Sequence, residues 1–183
     1  VDTVDDPGLR DDTDILLAVE KTAICGSDLH LWHLEDPAAA GIVPGFTVGH
    51  EFLGTVLDRG SAVQTIDVDD RVLVSCTIGC GHCDSCRRGF YSGCRTMTED
   101  GAITNVFGFG AAYPGGQSEA VRVPAADVNC FKLPADLSDE QCLFLTDILP
   151  TGFMGTELAE VSAGDTVVVF GCGPVGTFAQ ICA

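Results

Sequence analysis

Apolar residues along this chain fall into short runs of strand length, cut apart by Gly, Pro and Asp turns. Ile15 to Ile24 (ILLAVEKTAI) is an apolar run with strand character and the length of one buried strand. Three shorter runs repeat the signal: FLGTVL behind Gly49-His50-Glu51, RVLVSC at Arg71 to Cys76, and QSEAVRV ending at Val123. Between them lie a polar turn around Pro7-Gly8, an Ala/Gly/Pro loop from Pro37 to Gly45, the polar connection SAVQTIDVDD, and a Gly-rich surface segment from Glu99 to Gly116. Short strands punctuated this way predict a compact β barrel. In CGSDLHLWH, residues Gly26, Ser27 and Asp28 read as a turn into a short helix.

After Leu137 the grammar changes. Ser138 caps a helix that runs to Leu149, with acids behind it; Pro150 ends or kinks it, and TGFMGTELAEV resumes helical spacing. Ala163-Gly164-Asp165 is a turn, and TVVVF is a continuous β-branched run of the kind found in parallel sheets covered on both faces. It leads directly into GCGPVG. A strand, a glycine turn and the first residues of a helix are only the opening of a βαβ unit, so the chain is expected to stop inside a second domain. There is no internal repeat and no low-complexity tract.

Chemistry enters with the cysteines. GCGHCDSCRRGFYSGC places Cys80, Cys83, Cys86 and Cys94 in a C-x2-C-x2-C-x7-C pattern, with Gly79, Gly81, Gly89 and Gly93 relaxing the backbone for tight turns. Thiolates so spaced can converge on one ion, and a closed four-thiolate zinc site would add metal-binding free energy to the folding of a small lobe. A disulfide framework, a C-x-x-C redox pair and an iron–sulfur cluster compete with that reading. Three cysteines within seven residues cannot all pair with one another, and a thioredoxin-like setting is absent.

Composition narrows the class. The 183 residues are 46% hydrophobic, enough for a substantial core, and no apolar run approaches the eighteen or so residues of a membrane span. The N-terminus VDTVDDPGLRDDTD is acidic where a secretory signal would be basic and then apolar, so the chain is expected to be soluble and cytoplasmic, with no membrane partner. Ten cysteines in that setting point to metal or catalysis before disulfides. The formal net charge of −18, from 27 acids against 9 bases, excludes nucleic acid as a partner, because little here could replace phosphate counterions. Such an acid excess makes a strongly solvated, self-repelling surface, in keeping with salt adaptation or simply with an acidic protein.

Two further constellations carry chemistry. Gly171-Cys172-Gly173-Pro174-Val175-Gly176 is a G-x-G-x-x-G between a strand and a helix, in which Gly171 permits the turn, Gly173 lets a pyrophosphate approach, and Gly176 permits close packing. Cys25, His50 and Asp147 are ligand-type residues far apart in sequence, each weak alone. Beside a structural zinc lobe and a dinucleotide loop they fit a catalytic zinc with three protein ligands and one open position, with Glu51 a fourth candidate.

AICGSDLH, VGHEFLGTV, the cysteine lobe, LTDILPTGFMG and VVVFGCGPVG, in this order and spacing, resemble the zinc-dependent medium-chain alcohol dehydrogenases, across nearly the whole chain. Asp147, where many relatives have cysteine, is similar to the branch with glutathione-independent formaldehyde dehydrogenases. The resemblance implies a mostly β GroES-like barrel domain with short helices over residues 1–148, its zinc lobe at 76–97. The first β-strand and helix start of an incomplete Rossmann NAD(P)-binding domain would follow over 149–183. It implies two zinc ions per chain, NAD or NADP, a small alcohol or aldehyde substrate, and a homo-oligomer, dimer or tetramer, at full length. Cys25, His50 and Asp147 become catalytic-zinc ligands with Glu51 an inner neighbour, and Asp28 could orient His50. Ser27 falls at a relay hydroxyl (or a helix cap), His30 at a terminal base (or in solvent), and Thr151 near the nicotinamide end. His33 and His82 read as surface residues. The rival expectation is a zinc-binding fragment or pseudo-enzyme without turnover, because family members carry a complete cofactor domain and this chain lacks a starting methionine. For the isolated chain, whichever reading holds, the barrel is expected to be folded to about Asp147, the tail from about Ala163 poorly ordered or aggregation-prone, and NAD affinity absent.

Overall fold

The computed structural model describes residues 2–36, 45–98 and 105–183. The Pro37–Gly45 loop and the start of the Glu99–Gly116 segment therefore lie largely outside the described residues. Strand β1 (Ile15–Ala23) leads through Cys25 into helix α1 (Gly26–Trp32). Strand β2 (Glu51–Arg59) and strand β3 (Arg71–Val74) follow, then the short helix α2 (Asp84–Arg87) inside the cysteine lobe. Strand β4 (Ala120–Val123), helix α3 (Ala126–Asn129) and strand β5 (Cys130–Lys132) complete an antiparallel sheet in the order β4-β1-β2-β3-β5. The four runs with strand periodicity all became strands. The fifth strand, CFK, is too short to carry a readable period.

Alternation along the strands sends Ile15, Leu17, Phe52, Val56, Val72, Val74, Val121 and Val123 to one side, where Phe107 meets Phe52 edge-on at 5.1 Å. Each of these fully buried side chains stabilises the fold by about 1.5–3 kcal/mol relative to exposure. Leu53 and Leu73 form a second cluster with Cys142 and the leucines at 133, 137, 143 and 145. Helix α4 (Asp139–Leu143) is thus seated on the sheet, and ion pairs from Lys21 to Glu140 and from Arg71 to Asp139 orient it. Exposed pairs of this kind add little stability, because solvent screens them. Ser138 does cap α4, and the residue that completes its capping box is Gln141, not an acid.

The helical stretch breaks at Asp147 (φ −152°, ψ −69°), three residues ahead of the expected break at Pro150. A proline ring collides with the carbonyl four residues back, so no α-helix can run unbroken through Thr146 to Pro150. Helix α5 (Ile148–Leu158) restarts instead, with Pro150 in its first turn, where amides lack partners anyway. The Thr146 carbonyl, released from helical duty, accepts from the Cys76 amide at 3.0 Å. Helix α6 (Pro174–Cys182) packs on α5 across Gly152, where a Cβ would come within 2.7 Å of the Ala179 nitrogen. Thr166 to Phe170, read above as a strand, joins no sheet among the described residues, because no neighbouring strand lies against it to complete a ladder. Among the described residues no helix is long and apolar enough to cross a membrane.

Candidate metal centres

The lobe after β3 brings Cys80, Cys83, Cys86 and Cys94 together so that all four Sγ atoms lie within 4.8 Å of one another. The Cys80–Cys86 and Cys83–Cys94 separations are 4.0 and 3.9 Å. Thiolates about 2.3 Å from a central tetrahedral ion stand about 3.8 Å apart, whereas a disulfide requires about 2.05 Å. All ten cysteines are free, so the disulfide alternative is excluded in this structure. Gly81, at φ +78°, turns the chain between the first two thiols, a conformation that side chains rarely adopt. Cys80 Sγ accepts the Cys83 amide and Cys94 Sγ accepts the Cys80 amide, each at 3.3 Å. Burial opposes ionisation of Cys80, but hydrogen bonds from Thr96 and from the His82 and Cys83 amides outweigh it and bring the thiol down to about 6. Burial drives Cys86 the other way, to about 12. The lobe's own buried cluster consists of these cysteines with Met97, which leaves little apolar packing to hold it without an ion.

Two buried asparagines, neither marked by any motif, hold the lobe in place, Asn129 from the helical turn α3 that leads into β5 and Asn105 from the segment that follows the lobe. Asn129 accepts from the Gly79 amide at 2.8 Å and donates to the Gly79 and Pro124 carbonyls at 3.0 and 2.9 Å. Asn105 exchanges bonds with Ile78, its backbone carbonyl accepting the Ile78 amide at 2.7 Å and its side-chain Nδ2 donating to the Ile78 carbonyl at 3.2 Å.

A second cluster follows from strand register. Because Ala23 pairs with Glu51, the residue leaving β1 and the residues entering β2 are neighbours, and Cys25 meets His50 and Glu51. Asp147 arrives from the break between α4 and α5. One ligand atom from each of Cys25, His50, Glu51 and Asp147 lies within 4.8 Å of the others. His50 Nε2 is 3.5 Å from Asp147 Oδ2 and 3.3 Å from Ser27 Oγ, and its Nδ1 is 3.5 Å from Asp28 Oδ1. Thr151 donates to Asp147 Oδ1 at 2.8 Å, which leaves Oδ2 toward the cluster.

Three carboxylates here face one histidine. Burial alone would lower the His50 pKa, but the bond to Asp147 and the charges of Asp28, Asp147 and Glu51 reverse that and raise it. His50 in turn holds Asp147 below the usual range against its burial, while burial raises Glu51 and Cys25. Asp28 Oδ1, His50 Nδ1 and Glu51 Oε2 are buried without a hydrogen-bond partner among the described residues. Buried carboxylates in excess over cations are costly unless a further positive charge joins them, and this donor set of sulfur, nitrogen and oxygen suits zinc. Cys76 lies beside Asp147 outside the cluster. Burial, reinforced by the Asp147 charge, pushes its thiol far up, so it faces that carboxylate as a donor.

Ser27 sits one residue inside α1, whose N-cap is Cys25, so the helix-cap reading of Ser27 does not hold. His30, His33 and His82 are exposed. Gly171 adopts φ +101°, Gly173 is the N-cap of α6 with Pro174 at its start, and a Cβ at Gly176 would strike the Gly171 carbonyl. Space around Gly173 is open, so the loop has the close turn and the accessible amides that a phosphate needs. Val175 lies on the first turn of α6, and Thr151 on α5.

Residues 11–135 match the alcohol dehydrogenase GroES-like domain family. An uncharacterized zinc-type alcohol dehydrogenase-like protein of Bacillus subtilis is 40% identical over 98% of this chain and 48% of its own length. The glutathione-independent formaldehyde dehydrogenase of Pseudomonas aeruginosa is 37% identical over 98% of this chain and 45% of its own. Among solved structures, the alcohol dehydrogenase TADH from Thermus sp. ATN1 superposes with a TM-score of 0.88 at 38% identity, covering 99% of this chain and 51% of that one. The chain thus spans about half the length of the curated relatives it matches.

Proposed function

The chain belongs to the alcohol dehydrogenase GroES-like domain family, and from that premise we propose that it is the catalytic part of a zinc-dependent oxidoreductase transferring hydride between a small alcohol or aldehyde and NAD(P). Residues 1–148 form the catalytic domain with its lobe at 76–97, and 149–183 open the NAD(P) domain. The observation that carries this is the convergence of Cys25, His50, Glu51 and Asp147, from three separate parts of the chain, on one partly buried point. A single carboxylate-rich cluster has other uses. Beside a four-thiol lobe and a glycine loop at a helix start, it supports this chemistry over the others.

Cys25, His50 and Asp147, with Glu51 adjacent, would hold the catalytic zinc, and Cys80, Cys83, Cys86 and Cys94 the structural one. Zinc at the second cluster would supply a Lewis acid that brings an alcohol's pKa toward neutrality. Ser27 Oγ, next to His50 Nε2, is the hydroxyl placed to take the alcohol's proton. His30 follows on the same short helix and is exposed, so it can pass that proton to water. Thr151 holds Asp147 through its hydroxyl and stands on the helix that precedes the glycine loop. Gly171, Gly173, Pro174, Val175 and Gly176 would receive the dinucleotide pyrophosphate on the amides that open α6.

Elemental analysis of zinc-saturated protein tests the reading. Two zinc ions per chain are expected, falling to one in Asp147→Ala, with alcohol-dependent reduction of NAD or NADP by the complete protein lost in that variant. A wild type that saturates at one zinc, or an Asp147→Ala variant with undiminished turnover, overturns it.

A further inference from the structure

We infer that Gln117 is a positioning residue for the second metal cluster, acting through Asp28 on His50; this rests on the reading of that cluster as the catalytic metal site. Gln117 Nε2 donates to Asp28 Oδ2 at 3.1 Å, across a sequence separation of 89 residues. The same oxygen accepts the Cys25 amide at 2.8 Å. Asp28 Oδ2 is therefore saturated, and the carboxylate is locked in plane. Its other oxygen, Oδ1, is buried, has no hydrogen-bond partner among the described residues, and points at His50 Nδ1 at 3.5 Å. One carboxylate thus addresses two of the ligands, the backbone of Cys25 and the ring of His50, and Gln117 decides which of its oxygens is left for the ring.

The route of the Gln117 side chain is built into the fold. Gly49, immediately before His50, adopts φ +98°, and a Cβ there would come 2.5 Å from Gln117 Cγ and 3.0 Å from its backbone nitrogen. The glutamine crosses over the bare glycine to reach Asp28. Backbone bonds hold the two segments together, with the Gly116 amide on the Gly49 carbonyl at 2.9 Å and the Gln117 amide on the Val48 carbonyl at 3.0 Å. A glutamine that merely filled space would need neither the left-handed glycine under it nor a buried carboxylate at its end.

The consequence is chemical. With only a carboxylate facing it, Nδ1 holds a proton; Nε2 faces Asp147 Oδ2 and Ser27 Oγ, and it is the nitrogen that would give up its proton and turn its lone pair to a metal in the cluster. Asp28 is one bond removed from a metal ligand, and loss of such a partner commonly changes metal affinity by about 10- to 100-fold; Gln117, one bond further out, acts through it with a smaller effect.

The experiment compares wild type with Gln117→Met, which keeps the length of the side chain over Gly49 and removes the donor. Chelator competition would measure zinc at each site, and nitrogen-15 NMR of the ring would read the His50 tautomer in the wild type and the variant. Gln117→Met should bind zinc at the second cluster more weakly, by up to about tenfold, leave the four-cysteine site unchanged, and show a mixed His50 tautomer. Gln117→Glu, which sets a second carboxylate against Asp28, should lose more. Unchanged affinity and an unmixed Nδ1–H tautomer in Gln117→Met overturn the inference. So does a His50 ring whose Nδ1 carries no proton in the zinc-free second cluster of the wild type, a measurement that needs no variant to fold. Should the wild type take zinc only at the four cysteines, the proposed function fails, yet the tautomer comparison still decides the role of Gln117.

Discussion

Replacing Asn129 by alanine should detach the cysteine lobe from the sheet that carries it. The side chain is 2% exposed and makes three short bonds: its Oδ1 accepts from the Gly79 amide, and its Nδ2 donates to the Gly79 and Pro124 carbonyls. Each such bond contributes about 1 kcal/mol net, and each buried group left without a partner costs about 1–3 kcal/mol. Water entering the small space left by the amide recovers part of that, so the loss is about 3 kcal/mol, within about 2–5. For a chain of this size about 2–4 °C of melting temperature accompanies each kcal/mol, which puts the shift at about 6–12 °C. Asn129→Asp is the sharper control. It keeps the acceptor for Gly79 but turns an anion toward two carbonyls, and should cost at least as much as alanine. Both are measured on zinc-saturated protein by thermal and urea unfolding, alongside the rate at which a thiol reagent releases zinc from the lobe. Since Gly79 directly precedes Cys80, release should quicken in step with destabilisation. A shift below about 2 °C with unchanged release would show that the lobe is held by its metal alone.

Cys83→Ala should lower fold stability and remove one zinc, because the lobe's buried cluster has only Met97 beyond the cysteines; a variant with two zinc ions and a wild-type melting curve would contradict this. The pH dependence of zinc at the second cluster has a definite sign. Binding must displace a proton from Cys25, raised above 9.0, and from His50 wherever the pH lies below its value, raised above 6.5. Affinity should therefore climb by about tenfold per pH unit from Cys25 alone, and more steeply below the His50 value. Without metal the trend reverses: the raised His50 pKa stabilises the fold fully below its unfolded value and that contribution is lost as pH rises through the folded one. The lowered Asp147 pKa works above the unfolded carboxylate value and is lost as pH falls. Calorimetric titration in buffers of different ionisation enthalpy counts the protons released, and a pH-independent affinity would be the contrary result.

Local pattern was enough for the parts of this protein whose cause is local. The apolar run from Ile15 to Ile24 marks a strand by its length and composition, and the spacing of Cys80, Cys83, Cys86 and Cys94 brings thiols together within a few turns of chain. The glycine loop was legible for the same reason, since φ at Gly171 and packing at Gly176 are demands that only glycine meets. Tertiary structure decided the rest. Cys25 and His50 are neighbours because Ala23 pairs with Glu51, and a register set by burial across two strands leaves no mark on either residue. Asp147 reaches them because the collision of Pro150 with Thr146 moves the helix break back to it, a position the proline itself does not advertise. Gln117, Asn105 and Asn129 act through side-chain hydrogen bonds between distant segments. An amide has no periodicity and no spacing, so its partner exists only once the chain has folded around it.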